Sequence, residues 1–278
     1  MLAAPSHAAV DAPLLSVSEL SVVYRGRRRA AAAPAVDNVS FHVARNSVFA
    51  LIGESGSGKT SLARAICGLV ASSGSVEYDG APLDQDAMRA HRMRPIQMVH
   101  QNPFSALNPR WPIWRSVAEP IVALTRHHRG SGRPREEAGA LLQRVGLDAR
   151  LHERLPHQVS GGQCQRVAIA RALATRSKLI VLDEAVSALD AAVKKDILAL
   201  LRSLAAEESI TYFFVTHDMA SVAAIATDVA VMKAGRIVEI GTSAEVLTAP
   251  RDDYTRELIN AVPTLTRNTP NPDRSDAA

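Results

Sequence analysis

Residues 53–60 carry the most specific chemical signal in the chain. They read Gly-Glu-Ser-Gly-Ser-Gly-Lys-Thr and lie between an apolar run at 48–52 and an amphipathic segment. The spacing of the outer glycines from the final Gly-Lys-Thr is that of a phosphate-binding P-loop. Glycines let successive backbone N–H groups converge on one anion, and a helix that starts here adds its positive end. An ordinary glycine–serine loop is the alternative, and the strand and helix on either side disfavour it.

Lys59 and Thr60 supply the groups that a bound triphosphate needs. The Lys59 ammonium is a point charge for the terminal phosphates, and the Thr60 hydroxyl is a ligand for Mg2+. We expect nucleotide contacts from the motif and the residue after it, which are Gly53, Glu54, Ser55, Gly56, Ser57, Gly58, Lys59, Thr60 and Ser61.

Two acidic residues follow a second apolar run. Residues 179–182 are Leu-Ile-Val-Leu, and Asp183 and Glu184 come directly after them. A buried strand that ends in carboxylates suits a P-loop site: Asp183 can hold Mg2+, and Glu184 can polarise a water against the γ-phosphate. Alone, the pattern fits equally well a strand that ends in solvated acids. Its position after a P-loop favours the catalytic interpretation.

A second small-residue segment precedes a strongly amphipathic stretch. Ser160, Gly161, Gly162 and Gln163 would leave free N–H groups at a helix start, where an anion can bind. The alternative is a simple serine cap followed by glycines. One nucleotide cannot easily contact both this segment and the P-loop within one subunit, so the second anion site needs an explanation.

The elements that must position these groups alternate along the chain. Apolar and polar patterns predict strands over 14–24, 39–43, 48–52, 75–78, 96–99, 179–182, 210–215, 229–232 and 236–240. They predict helices over 162–175, 190–205, 219–226, 243–248 and 253–261, and an interrupted helical segment over 113–145. Strands that alternate with helices indicate an α/β core around a largely parallel sheet.

Composition excludes several classes of protein. The 278 residues carry a net charge of +4, too small a bias to indicate a nucleic-acid partner. The two cysteines, Cys67 and Cys164, have no metal-ligand spacing and fit a reducing compartment. We find no signal peptide and no run of about 18 apolar residues that could span a bilayer. We expect a protein that is soluble by itself and reaches a membrane only through a partner.

The motifs in this order resemble the ATP-binding subunit of an ATP-binding cassette (ABC) transporter. The resemblance runs from about Leu14 to Pro263, and the Val-Ser-Gly-Gly-Gln stretch at 159–163 is close to diagnostic. It implies a P-loop NTPase (RecA-like) core, an N-terminal antiparallel β subdomain and an α-helical subdomain inserted at about 105–175. It implies a mobile N-terminus at 1–13, one ATPase domain at 14–262 and a disordered tail at 263–278.

The resemblance also implies a head-to-tail dimer and individual residue roles. Residues 160–163 of one subunit would meet ATP held by the P-loop of the other, which would account for the second anion site. Tyr24 matches the aromatic that stacks on adenine, although a strand core position is the alternative. Gln101 matches the glutamine that senses Mg2+ and the attacking water, and His217 matches the switch histidine on the γ-phosphate. Asp190 ends the Ser-Ala-Leu-Asp loop that links the two sites.

Two stretches resemble a particular subfamily, the oligopeptide, dipeptide and nickel importers. Residues 101–110 read Gln-Asn-Pro-Phe-Ser-Ala-Leu-Asn-Pro-Arg, and residues 253–258 are a diverged form of a C-terminal motif of that subfamily. Ala185 replaces the usual proline after the catalytic glutamate. Nickel-importer ATPases can share this alanine, which weakly favours nickel transport over peptide transport. An exporter subunit or a soluble ABC ATPase is the alternative. An unrelated P-loop kinase or GTPase would not be expected to contain the Val-Ser-Gly-Gly-Gln motif at 159–163.

The resemblance implies partners that the chain does not contain. They are two membrane permease subunits, a second ATP-binding subunit that is identical or related, and indirectly an extracytoplasmic substrate-binding protein. The protein would then lie at the cytoplasmic face of the plasma (inner) membrane. The helical segment at about 105–158 should contact the permeases. Trp111 and Trp114 lie there, and they fit either that interface or local packing.

Overall fold

The computed structural model describes residues 12–24, 33–84, 95–125 and 133–261. The predicted mobile N-terminus falls outside these residues except for positions 12 and 13, and the predicted tail at 263–278 falls outside them entirely. Within the described ranges, no helix has the length and apolar character needed to cross a membrane.

Within the described residues, six strands form the central sheet in the order β10–β9–β3–β8–β7–β6. The neighbours from β9 to β6 are parallel, and only β10 joins its neighbour β9 in the antiparallel sense. Every residue of β3, β7 and β8 is buried, because a parallel sheet is covered on both faces. The strands are β3 Val48–Ile52, β6 Ile96–Val99, β7 Leu179–Asp183, β8 Thr211–Val215, β9 Asp228–Lys233 and β10 Arg236–Thr242.

A second, antiparallel sheet comes mainly from the N-terminal part of the chain. Its order is β2–β1–β4–β5, with β1 Leu15–Val22, β2 Val36–Val43, β4 Ser73–Tyr78 and β5 Ala81–Pro82. Three stacked rings join it to the central sheet: the ring centroid of Phe41 on β2 lies 5.1 Å from that of Phe49 and 5.7 Å from that of Phe213. This apolar contact fixes the small sheet beside the strands that carry the P-loop.

Eight helices lie within the described residues. They are α1 Lys59–Ile66, α2 Ile113–Thr125, α3 Pro134–Arg144, α4 Gly161–Leu173, α5 Ala191–Glu208, α6 Met219–Ile225, α7 Ser243–Thr248 and α8 Asp253–Asn260. Helices α2, α3 and α4 pack on one another through buried Ile113, Val117, Leu142 and Val167. This helical unit lies between β6 and β7 in sequence, as the predicted insert requires.

The structure confirms the predicted α/β class, the largely parallel sheet and the N-terminal antiparallel sheet. The predicted hairpin across Ala234 and Gly235 is present, and both residues have positive φ, as a two-residue turn of type I′ requires. Strands β2 and β4 begin two or three residues before the predicted positions. The added residues of β4, Ser73 and Gly74, are polar or small and exposed, so they lack the alternation that marks a strand.

Candidate active site

The glycines of the 53–60 loop are required by close packing at two positions. A Cβ on Gly53 would lie 2.2 Å from the carbonyl oxygen of Met232, and a Cβ on Gly58 would lie 2.2 Å from that of Ala35. Both residues have positive φ, which L side chains rarely adopt. A Cβ on Gly56 would meet nothing within 4 Å, so the middle of the loop faces open space.

Several backbone N–H groups of this loop have no protein partner within the described residues. In the part of the chain that the structure describes, the N–H groups of Ser55, Gly56 and Gly58 donate to no protein acceptor. The first N–H groups of α1 are unpaired as at any helix start. An anion such as a phosphate would satisfy these donors, so the loop fits the triphosphate of ATP.

The Lys59 side chain lies against the same loop. Its Nζ donates to the carbonyl oxygens of Gly53 at 2.8 Å and Glu54 at 2.7 Å, and the residue is only 5% exposed. Burial lowers the pKa of the Lys59 ammonium, while the negative charges of Glu184 and Asp183 act in the opposite direction. The loop therefore holds a desolvated cation beside its free N–H groups.

A hydroxyl and a carboxylate meet next to this cation. The Thr60 Oγ1 donates to Asp183 Oδ1 at 3.0 Å, which joins the start of α1 to the end of β7. Asp183 is buried, and burial raises the pKa of its carboxyl, although the Thr60 hydrogen bond acts to lower it. Hydroxyl and carboxylate oxygens are hard ligands that Mg2+ prefers, so this donor set fits that ion.

Glu184 lies at the centre of a second polar cluster. Gln101 Nε2 donates to Glu184 Oε2 at 2.9 Å, and His217 Nδ1 lies 3.5 Å from Glu184 Oε1. The Glu184 backbone has φ of 49° and its N–H donates to the carbonyl oxygen of Val215 at 2.9 Å, so β8 holds it in a turned conformation. The carboxyl ends of β6, β7 and β8 thus bring together three predicted site residues.

The Ser160–Gln163 segment caps the start of α4. The Ser160 Oγ accepts from Gln163 N at 3.2 Å, and Gln163 Oε1 accepts from Ser160 N at 2.9 Å. A Cβ on Gly162 would lie 2.5 Å from Val193 Cγ1, whereas a Cβ on Gly161 would meet nothing within 4 Å. Within the described ranges, no hydrogen bond or ion pair joins this segment to residues 53–61.

Two other predicted site residues have clear positions. Tyr24 follows β1, is 46% exposed, and its hydroxyl donates to Ser61 Oγ at 3.2 Å. Its side chain is therefore partly exposed beside α1, and the alternative of a strand core residue is wrong. Asp190 caps α5 through a hydrogen bond from Val193 N to Asp190 Oδ1 at 3.0 Å. This cap is a structural role that the sequence analysis did not assign to it.

Two contacts near the site escaped the sequence analysis. The hydroxyl oxygen of Tyr254 accepts a hydrogen bond from Glu54 N in the P-loop at 3.1 Å. Lys194 Nζ on α5 lies 2.7 Å from Asp218 Oδ2, beside His217. Residues 253–258 were recognised only as a subfamily marker, and no pattern in the sequence pairs residues 194 and 218.

The fold and this arrangement define a class of protein. A P-loop before α1, a Thr60–Asp183 pair and a carboxylate at the next position, all at the carboxyl ends of parallel strands, are the features of a P-loop nucleoside triphosphatase.

The profile of the ABC transporter family matches residues 36–187, which include both the P-loop and the Ser160–Gln163 segment. The chain therefore belongs to the ABC transporter family and contains its ATP-binding cassette. The dipeptide transport ATP-binding protein DppF of Haemophilus influenzae is 37% identical over 265 residues, which are 93% of this chain and 80% of that protein. The glutathione import ATP-binding protein GsiA of Pectobacterium atrosepticum is 40% identical over 267 residues, but this chain spans only 42% of its length.

Solved structures of ABC cassettes share the fold. CbiO1 of Clostridium perfringens, described as part of the ABC transporter complex CbiONQ, has a TM-score of 0.72 at 28% identity, covering 84% of this chain and 90% of that one. The ATP-binding cassette MJ0796, solved as a dimer in a post-hydrolysis state with ADP and Pi, has a TM-score of 0.70 at 27% identity. That match covers 82% of this chain and 98% of the other.

Proposed function

We propose that this chain is the ATP-hydrolysing subunit of an ABC importer that takes up di- or oligopeptides or nickel-type metal complexes. The observation that carries the ATPase assignment is the position of Glu184 between Gln101 and His217, one residue after the Thr60–Asp183 pair. In this proposal Glu184 is the general base, and its position directly after Asp183 supports that role. The proposed role in import rests on the names of its relatives.

Different side chains bind the phosphates, hold Mg2+ and accept the proton from water. Lys59 and the free P-loop N–H groups bind the phosphates, and Thr60 and Asp183 would hold Mg2+. When bound, this ion would neutralise charge on the phosphate oxygens. Glu184 accepts a proton from the attacking water, and Gln101 orients that carboxylate through its hydrogen bond at 2.9 Å. His217 stabilises charge on the γ-phosphate, so catalysis rests on positioning and electrostatics.

A dimer would give the Ser160–Gln163 segment a role at an ATP site. Two copies, or this chain and a related one, would bind ATP head to tail, with Ser160, Gly161, Gly162 and Gln163 of one subunit on the ATP of the other. Within the described ranges no hydrogen bond or ion pair joins this segment to residues 53–61 of the same chain, which is consistent with the proposal. The description of a related cassette as a dimer bound to ADP and Pi supports it. Tyr24 would stack on adenine, and Asp190 would connect the two sites.

The transport partners follow from the family. Two permease subunits would place the chain at the cytoplasmic face of the inner membrane, and an extracytoplasmic binding protein would deliver the substrate. A relative described as part of an ABC transporter complex supports this assembly. We propose an ATPase domain at 14–262 with a helical insert at about 105–175, of which the segment at about 105–158 contacts the permeases.

Local contacts account for the two tryptophans of the insert. Trp114 Nε1 donates to Glu153 Oε2 at 3.2 Å, and the Arg135 guanidinium lies 5.0 Å from the Trp114 ring centroid. The Arg115 guanidinium lies 4.5 Å from the Trp111 ring centroid. These contacts favour local packing for both side chains, so we do not assign them to the permease interface.

Co-purification of the transporter tests the proposal. The chain is expressed with its neighbouring permease and binding-protein genes, and ATPase activity of the complex is measured in liposomes with dipeptides, longer peptides and chelated nickel. We expect one class of substrate to stimulate hydrolysis and to be taken up. A complex with Glu184→Gln is the control and should do neither. ATP-driven movement in the opposite direction would favour an exporter, and an active ATPase that captures no permease would favour a soluble ABC ATPase.

A further inference from the structure

Tyr254 of helix α8 contacts the P-loop from the far end of the chain. It is only 6% exposed, and its hydroxyl oxygen accepts a hydrogen bond from the N–H of Glu54 at 3.1 Å, across 200 positions of sequence. None of the roles proposed above uses this contact. A tyrosine hydroxyl that is buried against the phosphate-binding loop can influence how that loop presents its donors.

The hydrogen bond from Glu54 to Tyr254 occupies the N–H of a residue whose carbonyl oxygen is also hydrogen-bonded. The N–H of Glu54 is occupied by Tyr254, while its carbonyl oxygen accepts from Lys59 Nζ at 2.7 Å and from Ser57 N at 3.2 Å. The free N–H groups of Ser55 and Gly56 follow at once. Their directions depend on the peptide groups around Glu54, because each peptide plane is rigid and only φ and ψ can change.

Several interactions hold Tyr254 in place. Lys233 on β9 lies with its Nζ 4.4 Å from the centroid of the Tyr254 ring, a cation–π contact. Asp252 Oδ1 caps α8 by accepting from Tyr254 N at 2.9 Å. The Glu239 carboxylate on β10 accepts from Arg251 N at 2.9 Å and from Asp252 N at 3.1 Å. These hydrogen bonds fix the start of α8 to the central sheet, and Tyr254 extends from this fixed position to the P-loop.

We propose that Tyr254 is a positioning residue for ATP binding: its hydroxyl holds the Glu54 peptide so that the P-loop presents its free N–H groups to the phosphates. Helix α8 thereby forms part of the nucleotide site without touching the nucleotide. The inference rests on the proposed function, because it assigns Tyr254 to the same ATP site.

The variant Tyr254→Phe tests it, since it removes the hydroxyl and keeps the ring over which Lys233 lies. Loss of one hydrogen bond should raise the Kd for ATP about threefold to tenfold, with kcat at saturating ATP unchanged. The matched control is Tyr212→Phe. Tyr212 is 1% exposed, and its hydroxyl has no partner within the described residues, so its removal should leave the Kd unchanged. Calorimetric titration of the full chain with ATP measures both values.

Hydrogen–deuterium exchange gives a readout that does not require ATP. Without its acceptor, the Glu54 N–H should exchange faster in Tyr254→Phe, and the increase should be confined to the segment 53–58. A wild-type Kd in Tyr254→Phe, or unchanged exchange in that segment, would overturn the inference.

The two proposals fail in different ways. Wild-type protein that binds no ATP would refute the proposed function, whereas wild-type protein that binds ATP combined with unchanged exchange at 53–58 in Tyr254→Phe would refute only the role of Tyr254. If Tyr254→Phe does not fold, Asp252→Ala replaces it, because this change weakens the cap of α8 and keeps the hydroxyl. A raised Kd in that variant would support the inference, and an unchanged Kd would count against it.

Discussion

Gln101 Nε2 donates a hydrogen bond to Glu184 Oε2 at 2.9 Å, although 83 positions separate the two residues in sequence. The parallel register explains this proximity, since Val99 at the end of β6 pairs with Leu182 near the end of β7. His217 approaches the other carboxylate oxygen from the end of β8, at 3.5 Å. Each oxygen of Glu184 thus has its own polar neighbour, which restricts how the carboxylate can turn.

Replacing Glu184 by Gln should separate ATP binding from hydrolysis. The amide has the shape of the carboxylate but cannot accept a proton from water, so we expect turnover to fall at least about 100-fold. The Kd for ATP should stay near the wild-type value, and size-exclusion chromatography with ATP should show a trapped dimer. Glu77→Gln, at an exposed position of β4, is the control. Rapid hydrolysis by Glu184→Gln would remove this residue from the proposed role.

Replacing Lys59 by Ala should abolish tight nucleotide binding. The variant removes a 5%-exposed cation whose Nζ donates to the P-loop carbonyl oxygens of Gly53 and Glu54. Charge-assisted hydrogen bonds contribute about 1.5–3 kcal/mol, so the Kd for ATP should rise roughly 10- to 150-fold. Lys195→Ala, at an exposed position of α5, should not change it. Equal affinity of Lys59→Ala and wild type in a titration would undermine the P-loop assignment.

The Asp183 carboxyl should make the stability of the ATP-free protein depend on pH. Burial raises the pKa of Asp183, so the folded state takes up a proton more readily than the unfolded state. Above this raised pKa the carboxylate is charged in the folded state, and the free energy of unfolding is lowered. As the pH falls from the raised pKa toward the unfolded value of about 4, this destabilisation disappears.

The variant Asp183→Asn should reveal that destabilisation. It keeps an oxygen acceptor for the Thr60 hydroxyl and removes the charge. In EDTA we expect its Tm to exceed that of wild type at neutral pH, with a difference that shrinks as the pH is lowered, while Mg2+-dependent hydrolysis is lost. Asp196→Asn, at an exposed position of α5, is the control. A Tm below wild type at every pH would contradict the expectation.

The parts of the site that were predictable from sequence are those that follow strands. Asp183, Glu184, Gln101 and His217 each come at or just after the end of an apolar run, and parallel strands bring such ends to one edge. Periodicity located the strands β3 and β6 at their observed bounds. Local patterns were sufficient to locate these strands and their ends, whereas the roles of Gln101 and His217 came from the resemblance to the family and not from periodicity.

Side-chain contacts between distant elements were not predictable in this way. Tyr254 contacts Glu54, and Lys194 contacts Asp218, because α8 and α5 pack where the sheet order places them. No local pattern encodes these pairs. The position of Tyr24 also depended on tertiary structure, since the end of β1 at Val22 decides whether its ring is exposed or lies in the core.

The adjacent glycines of the signature segment should respond differently to alanine. A Cβ at Gly162 would lie 2.5 Å from Val193 Cγ1, and a β-branched side chain in a helix has little rotamer freedom to move away. We expect Gly162→Ala to lower the free energy of unfolding by about 1–3 kcal/mol, measured by urea denaturation. A Cβ at Gly161 meets nothing within 4 Å, so Gly161→Ala should be at least as stable as wild type.

The same pair tests the dimer. The methyl group of Gly161→Ala would project from the surface that we assign to the ATP of the partner subunit. ATP hydrolysis should therefore fall in this variant while its Tm and the ATP affinity of the single subunit stay normal. Full activity of Gly161→Ala would argue against ATP contact by residues 160–163.

The ion pair of Lys194 with Asp218 should affect turnover more than ATP binding. Asp218 Oδ2 accepts from Lys194 Nζ and from Ser221 Oγ, each at 2.7 Å, while Oδ1 accepts from Ala220 N at the start of α6. Burial alone would raise the pKa of Asp218, but the hydrogen bonds from Lys194 and Ser221 lower it overall. The pair therefore ties the turn that carries His217 to α5.

Removing the charge in Lys194→Met should loosen that turn without altering the P-loop. We expect kcat to fall about threefold to tenfold, as for loss of one hydrogen bond to a charged group, with little change in the KM for ATP. Lys194→Arg should restore most of the activity, because its guanidinium can still reach the Asp218 carboxylate, and the neighbouring Lys195→Met should behave as wild type. If Lys194→Met instead lowers only the Tm, or Lys194→Arg fails to restore kcat, the ion pair stabilises the fold and does not position His217.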